Sequence, residues 1–365
     1  MTGDAAPALK EIFDRARFRH IAEQAAAVSS DFDADTFLKA AIANLDDLAI
    51  MQRLRQGAAA LHAALPPDYP QAVEFLHRLA PRIGHNFAGI MLPEFVALYG
   101  QKHFQLSLDA LKFFTQFGSA EFAIRHFLDR DFERTLGVMQ KWAEDNNEHV
   151  RRLASEGSRP RLPWSFQLKP VIADPDLTWP ILNRLKADPS LYVRKSVANH
   201  LNDIGKDHPD WLVGKLAGWA QDKPETAWIV KQALRTLIKK GDAGALALIG
   251  AAGEAQVRVE GFSVSPARVA LGTHVTIGAE IVSTSGKPQR LVADYAVLYV
   301  KKSGTPSRKV FKLKEFDLPA GGRQALTIRR AIRDFTTRKH YPGRHGVELM
   351  VNGEMMAEGG FELTM

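Results

Sequence analysis

Asp188-Pro-Ser-Leu-Tyr-Val-Arg-Lys195 resembles Asp145-Asn-Asn-Glu-His-Val-Arg-Arg152 upstream, and both resemble Lys223-Pro-Glu-Thr-Ala-Trp-Ile-Val-Lys231 downstream. In each segment a polar or proline-bearing turn opens an amphipathic run, and a valine is followed by a basic residue. That basic residue recurs at Arg151, Arg194 and Lys231, at offsets of 43 and 37 residues. A period of this length is the mark of paired-helix repeats. Such pairs stack into a solenoid whose concave face is lined by the second helix of each pair.

The helical reading extends outward over residues 1–250. Apolar residues recur there at spacings of three and four in segments joined by short Gly, Pro or Asp turns. The pattern predicts helices near 8–26, 119–129, 147–156, 190–205 and 224–240, among others. Pro70, Pro189, Pro209 and Pro224 stand near proposed helix starts, where proline is tolerated. The repeat length is that of HEAT-type pairs. The small-residue stretch Gly250-Ala-Ala-Gly-Glu-Ala-Gln256 then ends the helical pattern. Residues 257–365 carry about seven short runs of β-formers between Gly and Pro turns, with a hairpin signal at Val351-Asn352-Gly353-Glu354. This predicts an immunoglobulin-like β-sandwich behind an all-α helical-repeat domain.

Composition narrows the chemistry. Cysteine is absent, so disulfides, thiolate metal sites, iron–sulfur clusters and cysteine nucleophiles are all excluded. The amino terminus lacks the apolar core of a signal peptide, and no apolar run approaches a membrane span. A cytoplasmic location is expected. The net charge is +7, with 48 Lys+Arg against 41 Asp+Glu. Residues 1–146 are net −4, whereas 147–240 and 251–365 are each net +6. The basic excess therefore begins near Arg151, and it predicts an anionic partner such as nucleic acid. On the sandwich it includes Lys301, Lys302, Arg308, Lys309, Arg338 and Lys339, either as a second DNA contact or as part of a partner-binding or stabilising module. Truncation after about residue 250 would separate these.

Helical phasing places Val193, Val197, Leu201 and Ile204 on one stripe and Tyr192, Lys195, Asn199 and Asp203 on another. Glu121 with Arg125, and Arg152 with Glu156, have i,i+4 spacing. Each pair is read equally well as a surface ion pair or as part of a site. If the helices stack, Glu121, Glu156 and Asp203 lie embedded in a groove rich in Arg and Lys. The loop Ser155-Glu-Gly-Ser-Arg-Pro-Arg-Leu-Pro-Trp164 is stiff and cationic, suited to a phosphate backbone. Trp164 is placed either to stack on a base or to cap the core between repeats. There is no Walker A pattern, dinucleotide fingerprint or HExxH. The 12 histidines, His149, His200 and His208 among them, show no metal-ligand spacing.

The run Val193-Arg-Lys-Ser-Val-Ala-Asn-His-Leu-Asn-Asp-Ile-Gly-Lys-Asp-His-Pro209 resembles the signature of the DNA alkylation-repair glycosylases with HEAT-like repeats, the AlkC/AlkD type. Ser119-Ala-Glu-Phe-Ala-Ile-Arg125 and the Arg151–Trp164 segment resemble the AlkC branch, some members of which carry a C-terminal immunoglobulin-like domain. The resemblance implies hydrolysis of the N-glycosidic bond of cationic bases such as N3-methyladenine and N3-methylcytosine, without full base flipping. It implies that Asp203, Glu156 and Glu121 stabilise an oxocarbenium-like sugar and position water, as carboxylates do in glycosidases. Trp164 would contact the lesion sugar or base. Arg152, Arg159, Arg161, Arg194, Lys195, Lys231 and Arg235 would grip phosphates, with Trp228 beside them. The partner implied is double-stranded DNA carrying alkylated bases, bound by a monomer in the bacterial cytoplasm at the nucleoid, with no metal and no cofactor. The alternative is a non-catalytic helical-repeat scaffold for DNA or protein, since fold alone does not give function.

Overall fold

The computed structural model describes residues 9–251, 253–335 and 339–365. Arg338, counted above among the basic residues of the sandwich, lies outside them, as does the first residue of the helix expected at 8–26. The chain forms two compact units, 1–207 and 208–365. The units part well before the change from helix to strand near residue 250.

In the first unit helices follow one another from Arg15–Ala26 to Leu191–Ile204. The repeat seen in the sequence has a physical basis at two of its three places. Asp145 accepts a hydrogen bond from the Asn147 amide, and Asp188 accepts one from the Ser190 amide, at 2.8 and 2.9 Å. Each aspartate thus satisfies a donor left open at a helix start. Six residues on, Arg151 donates back to the carbonyls of Asp145 and Asn146. Arg194 does the same to Asp188 and Pro189. Arg151 also joins the repeats, donating through Nε and Nη2 to the two oxygens of Asp188 at 2.6 and 3.0 Å.

The helices Glu148–Gly157 and Leu191–Ile204 pack directly against each other. Val150, Leu153 and Ala154 on the first helix and Val193, Val197, Leu201 and Ile204 on the second are all buried, as their phasing predicts. Two polar links cross this seam. The hydroxyls of Ser155 and Ser196 lie 3.1 Å apart, and His200 Nδ1 lies 2.9 Å from the Ser155 carbonyl. The carbonyl only accepts, so Nδ1 carries the proton, and Nε2 accepts from the Thr178 hydroxyl at 3.2 Å. Complete burial pushes the pKa of His200 down to about 4, so it is a neutral structural group.

The second unit starts with the helices Pro209–Ala217, Pro224–Ala233, Arg235–Lys239 and Ala243–Leu248. The helix expected over 224–240 is interrupted at Leu234. Eight strands follow: β1 (Val257–Ser265), β2 (Arg268–Ala270), β3 (His274–Ser283), β4 (Gln289–Tyr299), β5 (Ser307–Leu318), β6 (Arg323–Ala331), β7 (Gly343–Val351) and β8 (Glu354–Thr364). They form sheets of order β1-β3-β6 and β2-β8-β7-β4-β5, antiparallel except for β2 on β8. The eighth strand relative to expectation is the short β2, which the sequence pattern merges with β1. Two apolar clusters fill the interior, one around Tyr295, Val297 and Phe361, the other around Ile281, Leu291 and Leu349.

The hairpin expected at Asn352-Gly353 joins β7 to β8, with positive φ at both turn residues. Its tip meets the helical part of the same unit. A methyl group on Gly353 would fall 2.1 Å from Cα of Gly241, itself at φ +76°. Only glycine fits that approach on either side. Nearby, Glu315 of β5 accepts from Lys231 at 2.7 Å and from Arg290 at 2.8 Å. These partners and Lys312, set against the burial that opposes them, pull the Glu315 pKa to about 2.

Candidate active site

The helix expected over 119–129 begins only at Ala123. Glu121 therefore sits in the turn before it, and the expected Glu121–Arg125 pair is not made. Arg125 instead points inward. Glu121 turns to the helix Glu148–Gly157, where Arg152 Nη1 reaches it at 2.5 Å and the Ser119 hydroxyl donates to it at 2.6 Å. Arg152 also bonds Ser119 at 2.9 Å and approaches Glu156 at 3.7 Å, the expected i,i+4 partner. Glu156 is held closer, at 2.6 Å, by Arg159 Nη1. Arg159 then passes the chain of charge to Asp203. Lys206 Nζ meets the other oxygen of Asp203 at 2.8 Å. Three carboxylates thus alternate with two arginines, and the two cations shared between neighbours hold the anions close together.

Burial weighs against the charge on Arg152, but Glu121 and Glu156 outweigh it and raise its pKa above the ordinary arginine value. Arg159 is shifted the same way by Glu156 and Asp203. Both guanidinium groups are therefore fixed cations. The plane of Arg152 also lies over the Tyr192 ring, 4.7 Å from its centre.

Glu121, Glu156, Arg152 and Arg159 line an open cleft of about 310 Å³. Tyr192 and Phe87 form part of its walls, and Leu162, Pro163 and Trp164 bring the loop to its edge. Trp164 is 60% exposed, with Phe87 edge-on to its ring at 6.4 Å. It stands at φ +65°. A bulky non-glycine residue in the left-handed region is a strained conformation, and such strain concentrates at ligand-binding sites. The reading of Trp164 as a core cap is thereby corrected: it faces solvent over the cleft.

Other expected site residues lie differently. Asp203 is 3% exposed and does not line the cleft; it stands behind Arg159. The stripe Tyr192, Lys195, Asn199 and Asp203 does not stay on one surface, because Tyr192 and Lys195 are exposed and Asp203 is interior. Arg159 is turned inward to carboxylates rather than outward to phosphates. Arg161 forms a fork on Asp207, at 3.0 and 2.8 Å. Arg194 folds back onto its own helix start, as described. Trp228, Lys231 and Arg235 belong to the second unit, where Trp228 is half-buried, Lys231 binds Glu315 and Arg235 donates to the Gln232 carbonyl at 2.6 Å. Sequence reasoning did not mark Phe87, gave Ser119 no role of its own, and met Arg125 only as a possible partner of Glu121. Ser119 is signalled by its position two residues before Glu121; Phe87 carries no local signal, and nothing local points Arg125 to the carbonyls it binds 32 to 41 residues away. Among the described residues no three of His, Asp and Glu converge as a metal site requires.

Two family models match the chain. Residues 104–237 match the DNA alkylation repair enzyme model, and 258–365 match the C-terminal Ig-like domain of the uncharacterised protein YhaZ. The protein YhaZ of Bacillus subtilis is 38% identical over 356 residues, covering 97% of this chain and 99% of that one. The Pseudomonas fluorescens alkylpurine DNA glycosylase AlkC, solved bound to DNA containing an abasic site analog, is 55% identical. The match covers 98% of this chain and all of that one, with a TM-score of 0.96. The chain belongs to the AlkC family of DNA alkylation repair enzymes. The expected order of a helical-repeat region followed by an immunoglobulin-like domain is the AlkC architecture. The enzymatic reading stands, and the non-catalytic scaffold does not. Among the described residues no helix is long and apolar enough to cross a membrane.

Proposed function

We propose that this DNA glycosylase excises cationic alkylated bases, N3-methyladenine and N3-methylcytosine among them, from double-stranded DNA at the cleft formed by Glu121, Glu156 and Trp164. The observation that carries this reading is the pairing of two carboxylates with an exposed, strained tryptophan across an open cleft rather than a closed cavity. A deep pocket suits a base turned out of the helix; a shallow cleft suits a nucleotide left in the stack.

The leaving group is already positive, so no general acid is required. The C1′–N bond breaks with its electron pair going to the base, which departs neutral. Positive charge then builds on the sugar ring. Glu121 and Glu156 stand where they would stabilise that charge and orient a water for attack at C1′. The water oxygen bonds to C1′ and passes one proton to one of these carboxylates and from there to solvent, and an abasic sugar remains. Asp203 adds negative potential from behind and anchors Arg159. Trp164 offers its π-face to the cationic base or the sugar. The exposed Lys195 is the phosphate contact favoured within the first unit; Arg152, Arg161, Arg194, Lys231, Arg235 and Trp228 are secondary candidates. The protein would act as a monomer on chromosomal DNA in the cytoplasm.

Single-turnover excision from duplexes carrying one N3-methyladenine or one N3-methylcytosine tests this. Glu156→Gln and Glu121→Gln should each slow base release at least 100-fold while DNA affinity stays within a few-fold. Full rates in both variants would remove the carboxylates from the mechanism. Light scattering of the DNA complex checks the monomer.

A further inference from the structure

Arg125 is the cation that the charge chain of the cleft leaves out. It lies on the helix Ala123–Arg130 and is fully buried, at 0% exposure. Burying a guanidinium costs several kcal/mol unless partners replace water. Among the described residues no carboxylate pairs with it. Its partners are backbone carbonyls. Nη1 donates to Gly157 at 3.1 Å and to Arg159 at 2.7 Å, and Nη2 donates to Phe166. The Phe166 ring also stands 5.3 Å from Cζ. Among the described residues Nε has no hydrogen-bond partner.

These carbonyls bracket one segment. Between Gly157 and Phe166 runs the loop that carries Arg159 into the carboxylate chain and Trp164 to the cleft edge. The loop's backbone bonds include Arg159 to Glu156, Ser165 to Leu162 and Leu168 to Pro160, at 3.0 to 3.3 Å, and its side chains reach Ala154, Ser155, Glu156, Asp203 and Asp207. They do not connect its two ends to the helix beneath. Arg125 alone among the described hydrogen bonds ties both ends to that helix. A planar fork with fixed donor directions suits this task, whereas a lysine presents a single point charge.

We infer that Arg125 is a positioning residue that sets the 157–166 loop, and through it Trp164, in the conformation excision requires. This rests on the cleft being the excision site. The left-handed backbone at Trp164 is the strain such a clamp sustains.

The full chain labelled with 5-fluorotryptophan tests it, with the Trp164 resonance among the six tryptophans assigned by Trp164→Phe. In Arg125→Lys the Trp164 resonance should shift or broaden while the other five stay in place. Single-turnover excision should fall 10- to 100-fold, with DNA affinity within threefold. In a Trp164→Ala background the same substitution should cost less than threefold more, because both act through one contact. Losses that multiply, or an unchanged Trp164 resonance, would overturn the inference. If Arg125→Lys does not fold, the neutral Arg125→Gln avoids the unpaired buried charge, and the same readouts apply. If neither folds, Arg125 holds the whole unit together rather than the loop, and the inference falls. Should the unsubstituted protein release no base, the excision reading fails while the fluorine signal still reports on the clamp.

Discussion

Arg159 binds a single oxygen of Asp203 with two nitrogens, Nε at 2.9 Å and Nη2 at 2.7 Å. Both side chains are almost wholly buried. Removing either partner strands a charge in the interior, which typically costs 3–5 kcal/mol. Arg159→Met should therefore destabilise the protein by about 3 kcal/mol in urea unfolding. Asp203→Asn should cost less, since it also releases the half-exposed Lys206 to water. The double variant should cost less than the two single costs combined by roughly 1–3 kcal/mol. Strict additivity would mean that the fork contributes nothing as a pair.

The fork of Arg151 on Asp188 joins one repeat to the next, and Asp188 also accepts from the amide of Ser190, the residue that precedes the helix beginning at Leu191. Asp188→Ala loses both functions and should cost about 3 kcal/mol. Hydrogen exchange locates the effect: the amides from Ser190 to Val193 should lose protection first. Uniform loss over the first unit would argue against a local cap.

His200 gives the first unit an acid sensitivity. Its folded pKa of about 4 lies below the ordinary 6.5, so between those values the unfolded chain binds the extra proton. The stability is complete above pH 6.5 and is lost as the pH falls toward 4. From pH 7 to pH 5 the loss should be about 2 kcal/mol. Thermal melts of His200→Gln over this range should show a flatter pH dependence than the unsubstituted protein; parallel curves would assign the acid loss elsewhere.

Asp294, buried in the second unit, behaves in the opposite sense. Burial raises its pKa from 3.8 to about 6, against the pull of Lys239 and Lys312. Folding therefore favours the protonated acid. Its stabilising effect is complete below pH 3.8 and is lost as pH rises through 6. Asp294→Asn should stabilise the protein at pH 8 by about 2–3 kcal/mol and do little at pH 4. A variant equally stabilised at both pH values would show that the carboxylate charge is not the cause.

What the sequence revealed, it revealed through local periodicity. The recurrence of Asp145 to Arg151 at Asp188 to Arg194 was legible because cap, apolar stripe and returning arginine all lie within one helical turn or two. The hairpin at Asn352-Gly353 was legible for the same reason. The i,i+4 spacing of Glu121 and Arg125 does not become a pair because the helix starts only at Ala123, leaving Glu121 in the turn before it. The pairing of Arg159 with Asp203 was not legible, because the two are 44 residues apart and no spacing rule connects a loop to a distant helix. The family resemblance supplied the carboxylates' chemistry; their alternation with arginines appeared only in three dimensions.

Gly241 and Gly353 bear on how this protein can be taken apart or recombined. The visible seam, where helix gives way to strand near residue 250, is not the seam between folded bodies. A cut there would separate Gly241 from Gly353 and Lys231 from Glu315, exposing a glycine shaped to receive a hairpin tip that is gone. A cut before His208 leaves both matings whole. The portable module is therefore the sandwich together with its four preceding helices, and any exchange of this C-terminal part between helical-repeat proteins that preserved its fold would have to carry those helices along.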